Sequence, residues 1–256
     1  MRILISNDDG IDAYGLSVLE KMARQISNDV MVVAPMDNRS GAGQSITLTR
    51  DLHLAKIDAS HYACSGSPAD CVMLALNLLY ETGDRPDLVL SGINHGMNAA
   101  DDVGYSGTIG VAREAAIYGI PSIAFSQHGG RVDSDFGPAE ACGGEVLAYC
   151  LQNLPDPRSL LNVNFPSAKT GKLKGIRPAD LDHHKVSDEI LETDTPHHYR
   201  IGPLVMRPDT DPASDRDWLR KGYVTITPIG LNATDKTQLA RLPHIDFDLK
   251  ATEQNS

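Results

Sequence analysis

The sequence lacks the residues and runs that would indicate a cross-linked, zinc-bound or membrane-spanning protein. Its 256 residues include four cysteines, none in a C-x-x-C pair, so neither a zinc site nor a disulfide framework is favoured. No run approaches the roughly 18 apolar residues of a membrane-spanning helix. The start MRILISNDDG has no apolar signal-peptide core, and this favours a cytoplasmic protein.

Positive charge is also scarce. The chain has 23 Lys and Arg against 34 Asp and Glu, a formal net charge of −11. Binding to a nucleic-acid duplex or to an anionic membrane needs a basic face, so neither partner is expected. A phosphate-bearing substrate would therefore have to be met by local hydrogen-bond donors or by a metal ion.

Apolar strand-like runs alternate with segments of helical spacing through the first two-thirds of the chain. The runs ILIS, VMVVAP, DLVLSGIN, PSIAFSQ and LLNVNFP are separated by segments such as GLSVLEKMARQI and SGTIGVAREAAIYGI. This order predicts an α/β fold, a doubly wound, mostly parallel sheet with helices on both faces. We assign it to residues 1–168 as the core, and we assign residues 169–256 to an extended, loop-rich appendage with a β-hairpin that is used in oligomerisation.

The appendage contains the strand-like run YVTITPI at residues 223–229. Its alternating residues suit a strand, but the parallel sheet offers no obvious partner for it. We expect this strand to pair with another subunit, since exchange of such an arm makes dimers. The alternative is an antiparallel hairpin within its own subunit.

Oxygen-bearing side chains follow three of the predicted strands. These turns read SNDDG, APMDNRSGAG and SGINHGMNAAD, and in a parallel sheet they lie at one edge. Carboxylate, hydroxyl and amide oxygens suit Mg²⁺ or Mn²⁺. Each turn alone could equally be a solvated loop, but together they predict a metal site at Asp8, Asp9, Ser40 and Asn94.

A phosphate site is predicted in the stretch DDVGYSGTIGVAREAA. Ser106, Gly107 and Thr108 stand directly before a predicted helix, whose free N–H groups favour an anion; the alternative is a plain helix cap. Asn98 follows the proposed ligand Asn94 and is a further phosphate contact or else a solvated amide. His95 is the best-placed histidine for proton transfer, although a solvated or hydrogen-bonded loop histidine is favoured.

Three other function classes fit poorly. An aspartyl-nucleophile phosphatase would have D-x-D after the first strand, where this chain has adjacent aspartates. A receiver-type signalling domain would need an acceptor aspartate after the strand that ends in SGIN and would be shorter. A dinucleotide-binding oxidoreductase would need G-x-G-x-x-G after the first strand. A non-catalytic metal or nucleotide sensor stays open.

Five motifs in order resemble the survival protein SurE family: NDDG, APMDNRSG, SGINHG, YSGTIGVA and GYVTITP. The resemblance spans nearly the whole chain. It implies a Rossmann-like fold and a metal-dependent nucleotidase that hydrolyses nucleoside 5′- and 3′-monophosphates, with short polyphosphate as a further substrate. It also implies one divalent ion per subunit at Asp8, Asp9, Ser40 and Asn94, and a homodimer or homotetramer joined through the C-terminal part.

Overall fold

A nine-stranded sheet forms the centre of the molecule. The computed structural model describes residues 1–80, 84–129, 135–156, 158–183, 185–206 and 210–244; residues 245–256 of the predicted appendage lie outside this part. The strand order is β3-β4-β2-β1-β5-β6-β7-β11-β8, with a separate β9–β10 pair. The strands are β1 (Arg2–Ser6), β2 (Asp29–Pro35), β3 (Leu54–Lys56), β4 (His61–Cys64), β5 (Leu88–His95), β6 (Ser122–Gln127), β7 (Ser159–Phe165), β8 (Ile176–Pro178), β9 (Lys185–Glu192), β10 (Tyr199–Met206) and β11 (Val224–Gly230).

Helices cover both faces of the sheet, so the expected α/β fold is confirmed. Capping residues set where two of these helices begin: Ser67 and Asp70 form a capping box at α2, and the Ser106 hydroxyl accepts from the Ile109 N–H at α3. A π-helical turn follows α2 at Ala75–Leu79. The helices are α1 (Tyr14–Arg24), α2 (Pro68–Leu74), α3 (Gly107–Ile117), α4 (Gly137–Gln152), α5 (Asp215–Arg220) and α6 (Lys236–Leu239).

The apolar core is split by the sheet into two layers. Ile3 and Ile5 of β1 point to the layer that includes α1 and α4, and Leu4 points to the layer that includes α2 and α3. This follows from the two-residue period of a strand. Both faces of β1 are therefore buried, as its continuous apolar run predicts.

The run YVTITPI does have a partner within its own subunit, so that part of the sequence prediction is wrong. β11 lies antiparallel to β7, with Thr225 opposite Asn164, and parallel to β8 on its other side. It is not a local hairpin either, because β7 lies far back along the chain. The buried Thr225 and Thr227 explain the error: the alternating pattern predicts one exposed face, yet both faces are covered.

A β-hairpin of β9 and β10 is present in the C-terminal part. Its exposed apolar side chains include Ile190 at 59% and Ile201 at 69%. Because β8 and β11 belong to the central sheet, the hairpin is the piece of this region that is separate from it. Among the described residues, no helix is long and apolar enough to cross a membrane.

Candidate metal centre and phosphate site

The turns after β1, β2 and β5 meet at one edge of the sheet, as the sequence predicts. The Arg39 N–H donates to the Asp8 carbonyl at 2.7 Å. The carboxylate of Asp9 accepts from the His95 N–H at 2.9 Å and from Asn38 Nδ2 at 3.2 Å. Hydrogen bonds therefore join all three turns through the two aspartates.

A cavity of about 220 Å³ opens at this edge and is lined by Asp9, Asn38, Ser40 and His95. The Asn38 side chain fixes the turn beneath Ser40, because its Oδ1 accepts from the Ser40 N–H at 2.9 Å. Asn94 lies next to His95, outside this lining. Its Nδ2 donates to the Gly96 carbonyl at 2.8 Å, so its Oδ1 is the atom left to bind a ligand.

Asp8 lies deeper than its neighbour and touches the start of α3. Its side chain is buried, and Thr108 Oγ1 donates to its Oδ1 at 2.5 Å. A Cβ on Gly107 would stand 2.6 Å from Asp8 Cβ, so glycine is required for this contact. Burial raises the pKa of Asp8 to about 6, against the opposing effect of the Thr108 hydrogen bond.

Ser106 and Thr108, two of the predicted phosphate contacts at the start of α3, are buried. The side-chain hydroxyl of each takes part in a hydrogen bond. The Ser106 hydroxyl accepts from the Ile109 N–H at 3.1 Å, which leaves its own proton free to donate. The Thr108 proton is already given to Asp8. In this arrangement Thr108 holds the aspartate, and Ser106 is the hydroxyl that can donate to an anion.

Asn98 lies in a buried polar network below the edge. Its Nδ2 donates to Ser126 Oγ at 2.8 Å, and its N–H donates to Asn164 Oδ1 at 2.8 Å. Its carbonyl accepts from Asn162 Nδ2 at 2.8 Å. Sequence reasoning missed Asn162 and Asn164, although polar residues inside the apolar run LLNVNF were a usable signal.

His95 is one of the residues that line the cavity. The imidazole packs against Phe136 with 5.0 Å between ring centroids, and its buried Nε2 has no hydrogen-bond partner among the described residues. The favoured sequence interpretation is a solvated or hydrogen-bonded loop histidine, and the buried, unpartnered Nε2 does not fit it. A ring nitrogen that lacks a protein partner beside a cavity is one that a ligand or water can use.

The donor set fits a hard divalent cation. Within the described ranges, no three His, Cys, Asp or Glu side chains come together as a metal site, so a softer thiolate or multi-histidine centre has no support there. Two carboxylates, a hydroxyl and an amide remain, and all of them offer oxygen. A bound cation would also offset the repulsion between Asp8 and Asp9, which contributes to the raised pKa of Asp8.

A family model described as Survival protein SurE matches residues 3–188. The chain belongs to the SurE family. It is 42% identical over 249 residues to a protein from Rhizorhabdus wittichii named 5'-nucleotidase SurE, covering 94% of this chain and 97% of that one. It is 40% identical over 248 residues to a protein of the same name from Paramagnetospirillum magneticum, covering 94% of each.

A solved SurE structure agrees with this fold. The SurE protein from Aquifex aeolicus superposes with a TM-score of 0.82 at 32% identity, covering 94% of this chain and 98% of that one. The family model covers the turns of the site edge and ends at residue 188, and the likeness to the solved structure covers 94% of the chain.

One further buried carboxylate of this SurE chain joins α5 to the loop before α3. Asp215 is fully buried, and it accepts from the N–H groups of Ala100 at 2.9 Å, Asp182 at 3.0 Å and Arg216 at 2.8 Å. Burial raises its pKa despite these bonds. Asp215 thus ties α5 to the turn between Asn98 and Ser106, a contact that no local sequence signal indicates.

Proposed function

We propose that this chain is a metal-dependent 5′-nucleotidase that hydrolyses nucleoside monophosphates to a nucleoside and phosphate. The observation that carries the proposal is the contact between Asp8 and the start of α3, since it puts a cation-binding carboxylate directly beside an anion-binding helix start. Two similar proteins that bear the name 5'-nucleotidase SurE support it.

In this proposal Asp8, Asp9, Ser40 and Asn94 hold one Mg²⁺ or Mn²⁺ per subunit. When bound, such an ion polarises a phosphoryl oxygen and lowers the pKa of a water molecule. The Thr108 hydrogen bond keeps Asp8 oriented, and one of the two aspartates takes the proton of the attacking water. The Ser106 hydroxyl and the N–H groups of the first turn of α3, including that of Gly107, orient the phosphoryl group.

The experiment is a phosphate-release assay over nucleoside 5′- and 3′-monophosphates and short polyphosphate. The protein is first treated with a chelator and then supplied with Mg²⁺, Mn²⁺ or neither. We expect multiple turnovers with 5′-monophosphates only after a metal is restored. Binding without turnover would favour the alternative of a non-catalytic sensor.

Activity on 3′-monophosphates and short polyphosphate also belongs to this proposal, and the same assay measures both. Direct attack by water predicts that ¹⁸O from labelled water enters the released phosphate. Phosphate attached to an aspartate in rapidly quenched protein would contradict this route.

We also propose that the chain works in the cytoplasm as a homodimer or homotetramer joined by residues 169–256. The exposed apolar side chains of the β9–β10 hairpin support this, and they include Tyr199 at 62% exposure. Replacing residues 185–206 by a short loop should keep β8 and β11 in the sheet, because neither strand pairs with the hairpin. Sedimentation equilibrium should then show a smaller species than the full chain, and an unchanged oligomer would contradict the assignment.

A further inference from the structure

Three cations gather around two aromatic rings in the C-terminal part of this acidic chain. The Arg177 guanidinium lies 4.4 Å from the Tyr223 ring centroid and 5.4 Å from that of Trp218. Lys174 Nζ is 5.8 Å from the Tyr223 centroid, and Lys221 Nζ is 4.8 Å from the Trp218 centroid. We call these five residues the basic rim.

Positive charge prevails locally at the basic rim. Lys221 pairs with Asp217 at 2.7 Å, whereas no carboxylate of the described residues is within ion-pairing distance of Lys174 or Arg177. All three cationic residues are exposed. Since charges more than about 8 Å away are largely screened at physiological salt, the net charge of −11 on the whole chain does not cancel this local field.

Strand pairing puts the basic rim at the same edge of the sheet as the candidate metal centre. β11 runs antiparallel to β7, so its first residues, next to Tyr223, lie where β7 ends. β8 is parallel to β11, and its first residues, next to Lys174, therefore lie at this edge too. The cations and the metal centre thus face the same side of the molecule.

The register of the sheet also gives the distance between the candidate metal centre and the basic rim. Successive partners form one row across five strands, Asn94, Ser126, Asn164, Thr225 and Arg177. Neighbouring strands lie about 4.8 Å apart, so four steps separate Asn94 from Arg177 by roughly 19 Å. The three inner members of the row are buried, so an anion that spans this distance has to pass over the strand ends at the edge of the sheet.

We propose that the basic rim is a second anion-binding site that holds the far part of a linear oligophosphate whose near end lies at the candidate metal centre. The placement of the near end rests on the proposed function, but binding at the rim does not. The rings favour phosphate over a nucleic-acid strand, because Arg177 already stacks on both of them and bases need free ring faces.

The test measures binding by titration calorimetry with chelator present. It uses the Asp9→Asn protein, in which we expect no turnover. Three probes are used. The first is tripolyphosphate, and the second is a longer linear oligophosphate that can span about 19 Å. The third is a single-stranded oligonucleotide with the same charge as the longer oligophosphate. The test variant is Lys174→Gln with Arg177→Gln. Lys56→Gln is the matched control, because Lys56 lies over Tyr62 at 5.8 Å on the opposite edge strand.

We expect the long oligophosphate to bind more tightly than tripolyphosphate and the test variant to weaken it by about 10-fold or more. The Lys56→Gln control and the charge-preserving Arg177→Lys variant should retain most of the affinity. In a chain with intact Asp9, the test substitutions should leave the KM for a nucleoside 5′-monophosphate unchanged, which shows that they did not unfold the site.

Equal affinity of the test variant and its parent for the long oligophosphate would overturn the proposal. Tighter, rim-dependent binding of the oligonucleotide would overturn it as well. Failure of the nucleotidase proposal is a separate outcome, because it would show as absent phosphate release while rim-dependent binding persists.

Discussion

The two halves of the sheet edge are built in different ways. Around β1, β2 and β5, side chains within a few residues of each strand end are the proposed metal ligands, and the three turns are hydrogen-bonded to one another through Asp8 and Asp9. Around β7, β11 and β8, the edge depends on an antiparallel strand and on α5, and their partners are distant in sequence. The first half carries the candidate chemistry, and the second half supports it through Asp215.

We expect the largest effect when a carboxylate charge is removed from the first half of the edge alone. Asp8→Asn or Asp9→Asn should lower metal-dependent phosphate release by about 100-fold or more, with the melting temperature kept. The fold should survive because ionised Asp8 is already disfavoured by burial. The matched control is Asp12→Asn, an exposed carboxylate in the same region, which should keep full activity. Activity near that of the wild type in either site variant would refute the ligand assignment.

Adding one methyl group tests the contact between Asp8 and α3. In Gly107→Ala the new Cβ would lie 2.6 Å from Asp8 Cβ, so the carboxylate must move. We expect a loss of about 1–3 kcal/mol in unfolding free energy and about 10-fold or more in activity. Gly104→Ala is the control, since nothing lies within 4 Å of its Cβ position. If the two variants behave alike, the tight contact does not position Asp8.

Removing the neutral ligands should have a smaller effect. Ser40→Ala and Asn94→Ala each delete one uncharged oxygen while both aspartates remain. We expect metal affinity to fall by about 10- to 100-fold, and activity to recover at high metal concentration. Titration calorimetry with Mn²⁺ measures the affinity; a value equal to that of the wild type would remove the residue from the ligand set.

We expect the smallest effect on activity from a change in the second half of the edge, at Asp215. Asp215→Asn leaves one accepting oxygen for the N–H groups of Ala100, Asp182 and Arg216, which costs about 1–3 kcal/mol of unfolding free energy. KM should rise more than kcat falls, because the turn before Ser106 loosens while the metal ligands stay.

The control is Asp217→Asn, which breaks the ion pair with exposed Lys221 and should cost less than about 1 kcal/mol of unfolding free energy. Equal melting temperatures for the two variants would contradict a supporting role for Asp215.

The same contrast explains what the sequence could predict. β1, β2 and β5 are continuous apolar runs that end in Gly, Asn and Asp turns, and these are local signals. The meeting of these turns at one edge of the sheet follows from the signals, because parallel strands align their ends. β3 and β4 were missed, since LAK and HYAC are short and weakly apolar.

Other features depend on pairing between distant segments. The insertion of β11 beside β7, the bond from Ala100 to Asp215 and the burial of Asn98 beneath Ser126 arise only when separate parts of the chain meet. The pattern of each segment does not encode its partner. The register that aligns Arg177 with Asn94 likewise exists only in the assembled sheet.

The late position of β11 in the chain has a consequence during synthesis on the ribosome. β7 is buried along almost its whole length, and β11 covers one of its edges in the native fold. Until residues 224–230 emerge, the growing chain presents β7 as an open apolar edge, the kind of surface that recruits strands from other molecules. Truncated or stalled chains that end before β11 should therefore aggregate even though every proposed metal ligand has already been made.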